Sequence, residues 1–331
     1  VKDALKGRRY IEFWGIEPNP HVETIRKAVK EGKDNNIDFV LAVGGGSVLD
    51  GTKLIAAGIA SDMDAWDIVL KGYADKQIKF ASVMTLPATG SEMNTASVIT
   101  RNETQEKLGF GGFYPQFSIL DPEVTYSLPP HQIACGLADA FTHVLEQYLT
   151  TPNQSKIMDR WAEGVLLTVK EIAPDIISGN RDYDLMAEFM LSATLALNDF
   201  IRMGVTQDWS THMIGHELTA IHGLTHAHTL AMVMPGTMRI LKEQKHGKIL
   251  QFGERVFNIT EGSEQERVNK TIEMTEEFYR SLGLTTRLSE EGIGNETIEK
   301  IVKRFNERNA SYGENSNVTG AVAGKILVSS L

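Results

Sequence analysis

Five of the nine histidines in this 331-residue chain fall between positions 212 and 228: His212, His216, His222, His226 and His228. Neutral imidazole is the commonest protein ligand for metal ions, and packing alone hardly accounts for such crowding. Upstream, in GLADAFTHVLEQYLT, Asp139 and His143 stand four residues apart, a spacing that puts both side chains on one face of a helix. An Asp–His pair at that spacing is more often a cap or a surface pair, so the ensemble matters more than the pair. Asp139, His143, His212 and His226 could together form one site of a carboxylate and three imidazoles. That donor set suits Fe(II) or Zn(II), and the lack of sulfur argues against softer metals. An ion held with room for a substrate oxygen would serve as a Lewis acid. His216, one turn beyond His212, is better placed beside the ion than on it, where a neutral imidazole can shuttle a proton. His222, next to Gly223, reads as a turn residue. His228 reads as a neighbour of the site, a substrate-facing group or simply a buried side chain.

A second device lies earlier. Gly44, Gly45 and Gly46 follow the apolar run IDFVLAV and precede Ser47 and the helical pattern VLDGTKLIAAGIA. Strand, glycine turn and helix start suit an anion, because small residues let the backbone come close and the first helix amides point outward. The pattern is neither GxGxxG nor a Walker A loop, and a turn without a ligand explains it equally well. TLPATGSE, after a second apolar run at 80–86, could place Thr85, Thr89, Gly90 and Ser91 at the same sheet edge, where open α/β sheets bind ligands. Two such turns favour a dinucleotide over a single phosphate. Asp50 could bond a ligand or simply favour the first turn of its helix.

The elements that must hold these groups alternate in the first third: a helix over 20–33, a buried strand over 37–43, a helix after GGGS and a strand near 80–86. This predicts an α/β layer with a parallel sheet. Residues 95–110 predict a hairpin around RNETQE. After LDPEVTYSLPP the pattern turns helical, with stretches at 131–149, 154–172, 184–201, 208–221, 227–241, 245–256, 263–282 and 294–307. A helix over 208–221, broken at Gly223 and resumed near 226, could bring His212 and His226 to one point. The chain thus divides into an α/β part over 1–128 and an all-helical part over 129–331.

A formal charge of −10 argues against a nonspecific grip on nucleic acid or an anionic membrane. Cys135 is the one cysteine, so no intrachain disulfide forms, in keeping with a reducing compartment; it reads as a small core residue. With no signal peptide and no apolar run of membrane-spanning length, the expected address is the cytoplasm.

At GIEPNP (15–20), LAVGGGSVLDGTK (41–53), TLPATGSEMN (85–94), LDP (120–122), D-x3-H-x2-E-x-Y from Asp139 and H-x3-H-x9-H from His212, the chain resembles the iron-dependent (group III) alcohol dehydrogenases. Within them it resembles the branch of NADPH-dependent aldehyde reductases and butanol dehydrogenases. The resemblance spans essentially the whole sequence. It implies the dehydroquinate synthase-like superfold: a Rossmann-like N-terminal domain, an all-α C-terminal domain and an active-site cleft between them. It also implies metal ligation by Asp139, His143, His212 and His226, and a pyrophosphate held by Gly45, Gly46 and Ser47. Asp50, Thr85, Thr89 and Lys107 match positions that contact cofactor in relatives.

The implied activity is hydride transfer between NADP(H) and a small to medium aldehyde or primary alcohol, with the carbonyl polarised by one divalent ion, Fe2+ or Zn2+. Met93, Asn94, Phe200 and Trp209 are candidate pocket residues, and family habit implies a homodimer. The sequence opens VKDALKGRRY without Met, and the resemblance implies a further strand, helix and strand upstream. The end of that second strand would choose between NADP and NAD, so NADP(H) follows from the branch resembled, with NAD(H) the alternative. The loops around 59–80 and 110–116 are shorter than the family pattern. Other readings are a dehydroquinate synthase-like lyase, whose Glu is missing where Asp139 stands, a metal-dependent phosphohydrolase, which leaves both turns unexplained, and a non-catalytic nucleotide binder.

Overall fold

The apolar run before the glycine turn becomes β1 (Phe39–Gly44), and the run before TLPATGSE becomes β2 (Lys79–Met84). The structure, a computed structural model, describes residues 1–150 and 155–331. Helix α1 (Val22–Asp34) precedes β1, α2 (Gly46–Ala60) follows it, and α3 (Ala65–Lys71) leads toward β2. Strands β3 (Ala96–Arg101) and β4 (Glu106–Gly111) form the expected antiparallel hairpin, and β5 (Ser118–Leu120) completes the α/β layer. The parallel sheet runs β1-β2-β5. Its register sets Gly44 opposite Met84 and Met84 opposite Leu120, so all three strands end level. The glycine turn, the TLPATGSE loop and the Leu120–Pro122 turn therefore leave the same edge side by side.

The helical part consists of α4 (Pro130–Tyr148), α5 (Lys156–Ile177), α6 (Tyr183–Ala196), α7 (Ser210–His222), α8 (His226–Ile240), α9 (His246–Phe257), α10 (Glu264–Ser281), α11 (Asn295–Glu307) and α12 (Gly320–Val328). Every residue of α4 from Ile133 to Tyr148 is buried, the mark of a helix at the centre of a domain. Around it the main core gathers α5, α6, α8, α9 and α10, with Phe141 packed on Phe278 at 4.2 Å between ring centres. A second cluster joins Ile214, Leu218 and Val233 of α7 and α8 to Ile301, Phe305 and Ile326 of α11 and α12.

Several expectations shift. The segment over 184–201 stops at Ala196: the Leu197 carbonyl accepts from Asn94 Nδ2, and Asp199 takes a left-handed φ of 70°, so a side chain from the α/β layer ends the helix. The expected helix start at 154 lies outside the described residues. Helices α3 and α12 and the three-residue β5 carry patterns too short to announce themselves. Among the described residues, no helix is long and apolar enough to cross a membrane.

Candidate metal centre and cofactor cleft

Three helices converge on the histidine cluster. Helix α4 carries Asp139 and His143 one turn apart, α7 carries His212 and His216, and α8 opens on His226. Gly223 ends α7 in the left-handed region at φ 70°, a turn glycine makes without Cβ strain. The chain reverses there and returns His226 to His212, with ring centres 5.1 Å apart.

Asp139, His212 and His226 offer ligand atoms that all lie within 4.8 Å of one another. His143 Nε2 stands 3.7 Å and His226 Nε2 4.0 Å from Asp139 Oδ1. Donors that share an ion at bonds of about 2.0–2.2 Å can stand at most roughly 4.4 Å apart, and both separations meet that. The His143 ring stacks on His212 at 4.7 Å, yet it falls outside the tightest three-donor group. His216 lies beside the cluster, 5.1 Å from the His226 ring and 6.4 Å from that of His212.

The residues fit an ion. Asp139 Oδ1 and His212 Nε2 are buried and have no hydrogen-bond partner among the described residues, an expensive state for polar atoms unless something binds them. Burial holds His143 down at about 4 and His212 at about 3, and pulls His216 and His226 well below the ordinary histidine range. Neutral imidazole, the ligating form, is thus present at neutral pH. Burial raises Asp139 in turn, against the pull of His143 and Lys107.

Helix α7 begins under constraint. Trp209, its N-cap, holds φ at 62° and offers no side-chain cap, an uncommon conformation for so bulky a residue. Its ring lies edge-on to His143 and His212. Capping comes instead from Asp208 Oδ1, which accepts from Ser210 N at 2.8 Å, and from Glu146 of α4. Glu146 Oε1 accepts from Thr211 N at 2.7 Å. Its Oε2 accepts from His212 N at 3.1 Å and also contacts His212 Nδ1. Burial and Asp208 push the Glu146 carboxyl well up, while the two backbone donors oppose them.

The glycine turn and the TLPATGSE loop pack on each other. A Cβ at Gly46 would meet Thr89 Oγ1 at 2.4 Å, and one at Gly45 would meet Leu86 Cβ at 3.0 Å. Gly46 is therefore held to glycine by a protein neighbour and Gly45 packs tightly on one, where the sequence left an approaching anion and a ligand-free turn equally open. Gly45 caps α2 and accepts from Val48 N and Leu49 N, so the first amides of the helix, at Gly46 and Ser47, open at the sheet edge. Ser47 Oγ accepts from Asn19 N at 3.2 Å, and Asn19 Oδ1 accepts from Lys107 Nζ at 3.0 Å. Thr85 N donates to Gly44 O across the strand ends. Burial holds Lys107 at about 8, against the pull of Asp139 and Asp50, and its Nζ reaches the glycine turn through Asn19 and Ser47.

Asp50 spends both oxygens within the protein, accepting from Ser91 Oγ at 2.6 Å and from Val98 N at 2.9 Å. Beside it Lys53, which the sequence reading overlooked, is fully buried. Its Nζ donates to Ser91 Oγ, Asn94 Oδ1 and Ala96 O at 2.6–3.0 Å. A lysine inside the apolar run TKLIAAGIA was its only signal. Of the candidate pocket residues, Asn94 is buried and spends its amide on Lys53, Thr89 O and Leu197 O, so it is a structural tie. Met93 is exposed, and Phe200 sits edge-on to Trp161. His222 meets Thr297 and His228 meets Thr285; neither joins the cluster.

The same loop wedges into the helical layer. A Cβ at Gly136 of α4 would meet Pro87 O at 2.3 Å, and Thr194 Oγ1 of α6 donates to Glu92 Oε1 at 2.5 Å. Across the site, Arg304 of α11 donates to Gln105 O at the hairpin tip and pairs with Glu217 of α7.

A parallel α/β layer with a glycine turn, joined to a helical domain with a buried Asp–His cluster, defines a metal- and nucleotide-dependent enzyme. The chain belongs to the iron-containing alcohol dehydrogenase family. The family model "Iron-containing alcohol dehydrogenase" matches residues 1–122, and "Fe-containing alcohol dehydrogenase family, C-terminal" matches 133–329. It is 48% identical to the NADPH-dependent aldehyde reductase YqhD of Escherichia coli over 98% of this chain and 86% of that one. It is 41% identical to the probable NADH-dependent butanol dehydrogenase 1 of Bacillus subtilis over 92% and 79%. The crystal structure of E. coli YqhD superposes with a TM-score of 0.97 at 47% identity, covering 99% of this chain and 86% of that one. That of butanol dehydrogenase A from Thermotoga maritima gives 0.94 at 33%, covering 99% and 85%.

Proposed function

We propose that this protein is a metal-dependent, NADP(H)-dependent alcohol dehydrogenase that acts mainly as an aldehyde reductase. The observation that carries the reading is 48% identity, over 98% of the chain, to an NADPH-dependent aldehyde reductase. The buried, partnerless donors of Asp139 and His212 supply its chemical rationale. Because both halves of the chain match the same dehydrogenase family, the lyase and phosphohydrolase readings fall away, and the intact Asp–His donor set argues against a non-catalytic nucleotide binder.

Asp139, His143, His212 and His226 hold one Fe2+ or Zn2+. That ion supplies a Lewis acid for a carbonyl or alcohol oxygen, and a nicotinamide supplies or accepts the hydride. Gly45, Gly46 and Ser47 turn the first amides of α2 toward the pyrophosphate. Thr85 and Thr89 border it from the next strand end. Asp50 is a proposed cofactor contact through the position it matches in relatives, although Ser91 Oγ and Val98 N already take one bond at each of its oxygens. Lys107 brings a cation to the cofactor turn through Asn19 and Ser47. His216, buried and neutral beside His226, carries the proton to or from the substrate oxygen. We place the division between cofactor and metal domains at 128/129. NADP(H) is the preferred cofactor, NAD(H) the alternative. The substrate is a small to medium aldehyde or primary alcohol, with no nucleic-acid or membrane partner. A cytoplasmic setting accords with a single cysteine, and a homodimer, checkable by light scattering, accords with family habit.

The test is NADPH oxidation, followed by absorbance, with a medium-chain aldehyde and protein stripped of metal, then given Fe(II) or Zn(II). Oxidation restored by either ion is the expected result. Tight NADPH binding without turnover under both ions would overturn the reading.

A further inference from the structure

Glu146 lies two turns beyond Asp139 and one beyond His143, on the same face of α4, and is 2% exposed. Nothing in an α4 core position requires a carboxylate, and burying one is costly unless its oxygens are bonded. Here every bond goes to the start of α7. Thr211 N and His212 N donate to its two oxygens, so the carboxyl group acts as acceptor toward the helix. His212 Nδ1 faces the same Oε2. A neutral imidazole carries its proton on one nitrogen only. In its ionised form, which the amides of Thr211 and His212 and the nearby Lys245 favour against burial, the Glu146 carboxylate can only accept at Nδ1, so the proton belongs there and the lone pair is left on Nε2. That nitrogen is the one buried without a partner, in the residue that shares the three-donor cluster with Asp139 and His226. The main chain leading into α7 is tied to α4 as well, since Asp208 N donates to the Glu146 backbone carbonyl at 2.9 Å and Lys245 Nζ ties the Asp208 carboxylate to Leu149 O.

We propose that Glu146 is a positioning residue for the metal centre: its carboxylate holds His212 with the proton on Nδ1 and presents Nε2 to the ion. One side chain thereby couples the α4 donors to the α7 donor. Carboxylates behind metal-bound histidines fix tautomer and ring orientation in this way, and losing one typically weakens metal binding roughly 10–100-fold.

The proposal rests on His212 as a metal donor, and the experiment separates the two claims. Co(II) is titrated into metal-free wild type and Glu146→Gln against a chelating dye, with the melting temperature of each metal-free protein and its NADPH binding recorded alongside. The amide replaces one acceptor with a donor at nearly the same size, so either His212 or Thr211 N loses its partner. The expected result is Co(II) affinity lowered roughly 10–100-fold, an altered Co(II) absorption spectrum and unchanged NADPH binding. If the variant melts earlier but binds Co(II) as tightly as wild type, Glu146 is only a helix cap and the proposal fails alone. If wild type takes up no stoichiometric Co(II), the donor assignment fails with it. Should the variant not fold, histidine 15N NMR of metal-free wild type decides, with His212 assigned by its loss in His212→Gln. A proton on Nδ1 supports the proposal and one on Nε2 overturns it.

Discussion

Gly46→Ala separates two reasons for a glycine at the cofactor turn. If Gly46 serves only an approaching phosphate, the substitution leaves the ligand-free protein untouched and weakens NADPH binding. The structure predicts otherwise. The added Cβ would stand 2.4 Å from Thr89 Oγ1, 2.6 Å from its Cγ2 and 3.0 Å from its Cβ, where ordinary contact begins near 3.4 Å. A single 120° turn of Thr89 about χ1 cannot clear it: two of the three staggered positions point at the new methyl, and any such turn refills one of them. Nor can the loop recede freely. Asn94 Nδ2 holds Thr89 O, Gly90 abuts Leu197 O, and Pro87 O lies against α4. Overpacking of this kind costs about 1–3 kcal/mol, and the cost should appear in urea unfolding without any ligand. Thr89→Ala removes Oγ1 and Cγ2 and leaves only the 3.0 Å contact. The double variant should therefore recover most of the loss, with a coupling of about 0.5–3 kcal/mol. A Gly46→Ala protein of wild-type stability, or a loss that Thr89→Ala leaves untouched, would refute the packing argument and return the glycine to the ligand.

Replacing His226 with Ala should abolish metal retention and turnover while leaving NADPH binding measurable by nicotinamide fluorescence; elemental analysis showing a full complement of metal would refute its place in the donor set. Burial raises the Cys135 thiol from 9.0 to about 12, so at pH 8 its thiolate fraction is roughly 1,000-fold lower folded than unfolded. Thiol reagents should then label it only on unfolding. Because the folded state keeps its proton while the unfolded state loses it, this group should cost stability as pH rises from 9 toward 12. Prompt labelling of native protein at pH 8 would refute that environment.

The chemistry was legible in the string because it rests on residue type and local spacing. Asp139 and His143 share a helix face by arithmetic, and Gly223 between two helical patterns was enough to fold His226 back toward His212. Parallel strands ahead of glycine turns, a hairpin around RNETQE and a helical second half follow from periodicity and turn chemistry in the same way. Sequence alone also brought out the family resemblance, through motifs spread along the whole chain. What it could not decide depends on contacts between distant segments. Asn94 reads as a pocket residue until Lys53, Thr89 O and Leu197 O are seen to consume its amide. Gly46 reads equally as room for a phosphate or as a plain turn until Thr89 is found against it. Glu146 reads as one more polar residue of α4 until α7 arrives and sets two backbone amides and an imidazole around it. Helix 184–201 ends early for the same reason, because the group that takes its carbonyl comes from the other layer. Periodicity records which face of an element is buried. Which atom satisfies which is settled only when the layers close, since a buried polar group takes whatever partner the packing delivers.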